Sequence, residues 1–191
     1  MKSTRLGIVL VLLLAATSGP VRGAVAVKPP DACALLEAAD LAAVQEAKLI
    51  ETKASDGQEE KSAVRQCFFR TEPIARSVSL RWVAPPEHGN ADAARERWRA
   101  VFHGEHEDAE ERGREGEKER EEEEGSPPQR VAGLGDEAFW TGDAASGALY
   151  VLSGNSFVRI SIGGVSDPAA RLEKSKRLAA AALRRLPRKR R

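Results

Sequence analysis

The segment from Gly104 to Arg130 places the strongest constraint on how this chain can fold. It holds 12 acidic and 5 basic residues, no aromatic side chain, and no Val or Leu. Such a stretch cannot bury enough apolar surface to offset the entropy of ordering it. It reads as a disordered acidic insertion, with transient helix at most from Glu115 to Glu124. Whatever folds must therefore be assembled from the two flanking parts, giving one domain over residues 27–186 interrupted at 104–130. The carboxylate spacing lacks the order of a calcium loop. His103-x-x-His106, beside Glu105 and Glu107, offers only two imidazoles. No metal and no cofactor is expected.

The N-terminus adds a second constraint. Met1 to Arg5 is basic, Leu6 to Ala16 is apolar without a charge, and Thr17, Ser18, Gly19 and Pro20 close the run. That order is the pattern of a secretory signal peptide, and the apolar run falls well short of the ~20 residues of a spanning helix. Residues 1–26 are read as the signal, with cleavage near Ala24 to Val27 and a periplasmic or secreted product. No cysteine stands at that boundary to carry a lipid anchor. The whole chain has 30 basic and 29 acidic residues. Losing Lys2, Arg5 and Arg22, and no acid, takes the net charge from +1 to −2. This gives no case for a nucleic-acid partner, and no reading module is visible.

Cys33 and Cys67 are the only cysteines. In an exported chain an even count of two favours a disulfide. Closing that loop would stabilise the fold by about 4 kcal/mol on the chain-entropy estimate. A reduced buried pair is the alternative reading.

Asp31 is placed to cap a short helix, and two short helical pieces fit between Ala32 and Gln45. Lys48 to Thr52 is a weak strand candidate before a polar turn at Ser55, Asp56 and Gly57. Ala63 to Arg70 and Arg76 to Val83 read as strands, the second with Val78, Leu80 and Trp82 on one face and Ser77, Ser79 and Arg81 on the other. Asn90 is a candidate cap for a helix from Ala91 to His103, with Ala94, Trp98 and Val101 as its apolar stripe. Gly133 to Trp140 combines a glycine turn with an aromatic strand. It lacks the Gly-Lys-Ser/Thr ending of a phosphate loop, and Asp136 is expected to cap the turn.

Ala148 to Ser153 and Ser156 to Ile162 flank Gly154-Asn155, a two-residue hairpin connection. Pairing Ser153 with Ser156 puts Leu149, Val151, Val158, Ile160 and Ile162 on a buried face. Tyr150, Leu152, Phe157 and Arg159 fall on the other, with Leu152 opposite Phe157 and Tyr150 opposite Arg159. Cross-strand packing and a cation–π contact account for this second set. An apolar stripe on an open sheet face would equally receive a protein or small molecule. Pro168 begins a final helix, whose Leu172, Ala179, Leu183 and Leu186 can cover the sheet. Pro187 ends it, and residues 187–191 form a basic tail.

Catalytic constellations are not evident. Asp136, Glu137 and Asp143 are the carboxylates nearest ordered turns, and His88 is the histidine farthest from the insertion. None pairs with a nucleophile.

Asp31-Ala32-Cys33-Ala34-Leu35-Leu36 with Asp40-Leu41, Cys67-Phe68-Phe69, Gly133 to Trp140, and the hairpin from Tyr150 to Gly164 resemble small exported bacterial proteins related to the DUF3558 family. The resemblance covers most of residues 31–186 outside the insertion. It implies an α+β fold, an antiparallel sheet covered on one face by helices, with one helix-to-strand disulfide. Many members of that group are lipoproteins, a pattern from which this sequence departs in having no lipidation cysteine, and no catalytic residue transfers from it. Some similar folds act as extracytoplasmic sensor or ligand-binding domains. The leading expectation is thus an extracytoplasmic, non-enzymatic binding or accessory domain contacting its ligand through Tyr150, Leu152, Phe157 and Arg159. One alternative is an envelope-associated structural protein that touches anionic surfaces through Arg188, Lys189, Arg190 and Arg191. Another is an unidentified hydrolase.

Overall fold

The computed structural model describes residues 31–59, 61–86, 88–104, 127–143 and 145–187. The expected signal peptide, most of the acidic insertion, and Arg188, Lys189, Arg190 and Arg191 lie outside the described residues. Seven strands form one antiparallel sheet: β1 (Lys48–Glu59), β2 (Ser62–Glu72), β3 (Val78–Ala84), β4 (Gln129–Arg130), β5 (Glu137–Gly142), β6 (Gly147–Ser153) and β7 (Ser156–Ile162). Their spatial order is β1-β2-β3-β7-β6-β5-β4. Each flanking part of the chain thus contributes its own meander. The two join along a single seam, β3 against β7, from Val78 opposite Ile162 to Val83 opposite Phe157.

A first layer of helix covers one face. The 3-10 turn Ala32–Leu35, α1 (Ala38–Gln45) and α3 (Pro168–Arg185) pack there. Beneath them Val78, Leu80, Leu149, Val151, Val158 and Ile160 are fully buried, the face that strict two-residue alternation demands. Asp31 accepts from Cys33 N at 2.9 Å to cap the turn. Asp167 accepts from Ala170 N at 2.8 Å, with Pro168 opening the helix behind it. Cys33 and Cys67 are bonded, with Cα atoms 5.0 Å apart, tying that helical turn to β2. The α+β class and the disulfide are as the sequence led us to expect. Among the described residues no helix is long and apolar enough to cross a membrane.

α3 also fastens the two parts together. Arg185 meets Glu37 at 3.2 Å and Asp40 at 2.8 Å. Arg177 donates to the Ala43 carbonyl at 3.0 Å. Arg171, 3% exposed, donates to the carbonyls of Val165 and Asp143, tying the β5–β6 turn to the segment that follows β7.

Four local expectations are corrected. β1 does not turn at Ser55 to Gly57 but pairs with β2 as far as Glu59 opposite Ser62. As the sheet's edge strand it is exposed along nearly all its length, so it never shows the apolar alternation that marks a strand. Gln129–Arg130, placed in the insertion, pairs with β5 as a two-residue edge strand. Helix α2 (Ala93–Phe102) begins later than expected and has Asp92 as its cap residue. Asn90 organises the preceding turn, accepting from Asp92 N at 2.9 Å and donating to Glu96 at 2.8 Å. Finally, α2 turns Ala94, Trp98 and Phe102 inward, while Val101 is 56% exposed.

Candidate functional site

The second face of the sheet is best seen as cross-strand rows. Strand pairing aligns Val64, Val83, Phe157, Leu152 and Glu137 in one row. The next holds Gln66, Arg81, Arg159, Tyr150 and Phe139. A third brings together Lys53, Phe68, Ser79 and Ser161.

α2 lies over the first row. Trp98, 1% exposed, has its ring centroid 5.5 Å from Phe157 and 5.9 Å from Phe139. Phe102 stacks on Phe139 at 4.7 Å and meets Tyr150 edge-on at 5.2 Å. The Asn155 side chain donates to the Ala91 carbonyl at 3.1 Å and pins the helix's start to the hairpin turn. This corrects the expected contact face. Leu152 and Phe157 are each only 5% exposed, sealed by another layer of the same chain. The hairpin register itself is as expected, with Leu152 opposite Phe157 and Tyr150 opposite Arg159.

Tyr150 and Arg159 fare differently. Both stay half-buried at the margin of α2. Arg159 Nε donates to the Tyr150 hydroxyl at 3.0 Å, and its guanidinium stands 5.6 Å from that ring's centre. Beyond them the face is open. Phe68 is 39% exposed beside the serines. Arg81 forms an ion pair with Glu59, which Arg97 of α2 also reaches at 2.9 Å. The Arg81 hydrogen bond, then its charge and that of Arg97, hold the Glu59 carboxyl below the ordinary carboxylate range despite some desolvation. Glu51 in turn meets Arg70 at 3.0 Å and Lys53 at 3.9 Å. Sequence alternation had already put Ser79 and Arg81 on one face. What it lacked was the register that sets Arg81 beside Arg159.

A cleft of about 400 Å³ opens on the other flank of α2, lined by Arg95, Trp98, Arg99, His103, Glu137 and Leu152. Glu137 Oε2 accepts from Trp98 Nε1 at 2.8 Å and lies 2.8 Å from His103 Nε2. Partial burial pushes its carboxyl up. The His103 and Trp98 hydrogen bonds, with the charges of His103 and Arg130, outweigh this and hold it below the ordinary range. One oxygen serving two donors anchors α2 to β5. The remaining acid candidates have similar structural duties. Asp136 accepts from Gly154 N at 2.8 Å and faces Arg95 at 3.6 Å. Asp143 accepts from Ala145 N and Ser146 N, both at 2.7 Å. These two lie beyond opposite ends of β5, roughly 20 Å apart at strand spacing, and His88 belongs to the β3–α2 connection. The three do not converge. Gly135, at φ +56°, has Leu152 O within 2.2 Å of where a Cβ would stand, so the glycine turn serves close packing of backbone on β6. Among the described residues no three His, Cys, Asp or Glu side chains gather as a metal site.

Carboxylates meet three basic side chains of the C-terminal helix α3. Lys174 faces Glu46, Lys176 faces Glu173, and Arg185 faces Glu37 and Asp40.

No family model matches this chain, and no curated protein matches it. Among solved structures it is similar to a GTP binding regulator from Thermotoga maritima, at 13% identity and a TM-score of 0.38, over 81% of this chain and 90% of that one. Neither fold nor function is read from so loose a likeness.

Proposed function

We propose that this chain is an extracytoplasmic, non-enzymatic binding or accessory domain, and that its contact surface is the part of the second sheet face that α2 leaves open. One observation carries the reading. α2 seals the row through Val83, Phe157 and Leu152 and overlaps only the Phe139–Tyr150 end of the next, whereas Arg159 and Arg81 stay half-buried at its margin and Phe68, diagonal to Arg81 across β2 and β3, is exposed. An exposed aromatic next to a half-buried arginine is the composition enriched at recognition surfaces. The disulfide and the signal-like N-terminus support a periplasmic or secreted site of action. Kinship with exported bacterial proteins related to DUF3558 belongs to the same proposal.

Fractionation and site-specific crosslinking test it together. A photo-reactive residue replaces Phe68 or, as a control on the opposite layer, exposed Ala169. The full chain should appear in the extracytoplasmic fraction and give a discrete adduct from position 68 alone. Retention in the cytoplasm, or the same adducts from both positions, would sink the reading.

A further inference from the structure

The open face carries a charge imbalance that indicates what it binds. Arg81 and Arg159 stand directly opposite one another on β3 and β7. Facing residues in an antiparallel pair have Cβ atoms about 5 Å apart, where like charges repel. The chain relieves this only in part. Glu59 answers Arg81 but is shared with Arg97. Arg159 gives its Nε to the Tyr150 hydroxyl and has no carboxylate partner among the described residues. Beside them Lys53 and Arg70 share Glu51. Three of these four cations thus share two carboxylates, Glu51 and Glu59, one of which is also engaged from α2.

The shape of the surface narrows the choice of partner. Ser79 and Ser161, opposite each other in the same row as exposed Phe68, form a low floor with hydroxyl donors alongside the arginines. α2 rises from the neighbouring row as a wall, and a helix with its side chains is about 10 Å across. A flat bilayer would rest on that wall, away from the half-buried guanidinium groups. A lone small anion would satisfy the arginines but leave Phe68 uncovered. A polypeptide segment can do both, because same-side residues along an extended chain recur about every 7 Å, within side-chain reach of the two guanidinium groups.

We infer that this face docks an acidic segment of a partner polypeptide, two of its carboxylates taking Arg81 and Arg159 while an apolar side chain covers Phe68. This rests on the binding role proposed above and names the chemistry of its partner.

The test uses the full, oxidised chain and a fluorescein-labelled peptide of alternating Glu and Ala with one central Leu, followed by fluorescence anisotropy. Saturable binding is expected. Arg81→Gln or Arg159→Gln should each weaken it about tenfold, and Ser161→Glu should do the same without removing a cation. Arg99→Gln, which deletes the same charge from exposed surface on α2, should leave it unchanged. Equal losses in Arg99→Gln and Arg159→Gln would reveal diffuse charge attraction and overturn the inference. So would absence of saturable peptide binding, or preference for phosphatidylglycerol vesicles or inorganic phosphate over the peptide. Crosslinked adducts at position 68 that survive in the Arg81→Gln, Arg159→Gln double variant would overturn this inference alone. Absence of adducts in the parent would remove the binding role as well.

Discussion

Glu137 shows how one side chain can join two elements. Its Oε2 takes the Trp98 indole N–H and meets His103, so the carboxylate fixes both the middle and the end of α2. Its carboxyl, like that of Glu59, is held below the ordinary range. The sign follows directly. A depressed carboxyl contributes stability that is present above the unfolded-state value of about 4.3 and is lost as pH falls through the lower folded-state value. Urea midpoints should therefore drop as pH is lowered through and below that value. Glu137→Gln, which keeps an acceptor but cannot titrate, should show a shallower drop. Parallel pH profiles for the parent and the variant would contradict this role. From the sequence Glu137 could be seen only as an acid beside an ordered turn. Its partners are far away along the chain and become neighbours only through the path of α2 across β5.

At the scale of elements, the hairpin β6–β7 was legible because its signal is local. A Gly-Asn pair between two alternating runs fixes register, and Gly154 has the positive φ of +59° at the first turn residue that a II′ turn asks for. β1 was legible only at its start, since an edge strand bathed on both faces needs no apolar alternation. α2 was seen as a helix, but its destination was not. The same apolar residues on β6 and β7 suit an open face or a covered one, and only tertiary packing decides between them. Truncating the central contact tests that packing. Trp98→Ala should cost about 3–5 kcal/mol and expose Leu152 and Phe157, read as a lower urea midpoint and faster amide exchange across β6 and β7. Unchanged exchange in those strands would mean that α2 does not protect them.

The whole molecule is two meanders held by one seam and by the first helical layer. The split was legible from the acidic break at Gly104 to Arg130, and the closing role of the last helix from its apolar spacing. That β3 and β7 are the joining strands was not legible, since both halves offer buried apolar rows that match equally well on paper. The disulfide lies wholly inside the first part. Its removal in a Cys33→Ala, Cys67→Ala double variant should lower stability by about 4 kcal/mol, while β6–β7 amides keep their order of protection relative to one another. Reductant that leaves the parent's urea midpoint unchanged would refute that contribution. The seam has a further consequence for how the chain is made. Synthesis proceeds from the N-terminus, so β1, β2, β3 and both cysteines are complete before β7 exists. Contacts within each meander close short loops, whereas the seam must span everything from Val83 to Phe157, a larger entropic cost. Oxidation of the first half need not wait for the second, and the emerging chain can be stapled while its central strand β3 still lacks its neighbour. Until β7 arrives, β3 is an open edge of Val78, Leu80 and Trp82, and that interval is when the chain is most exposed to pairing with the wrong strand.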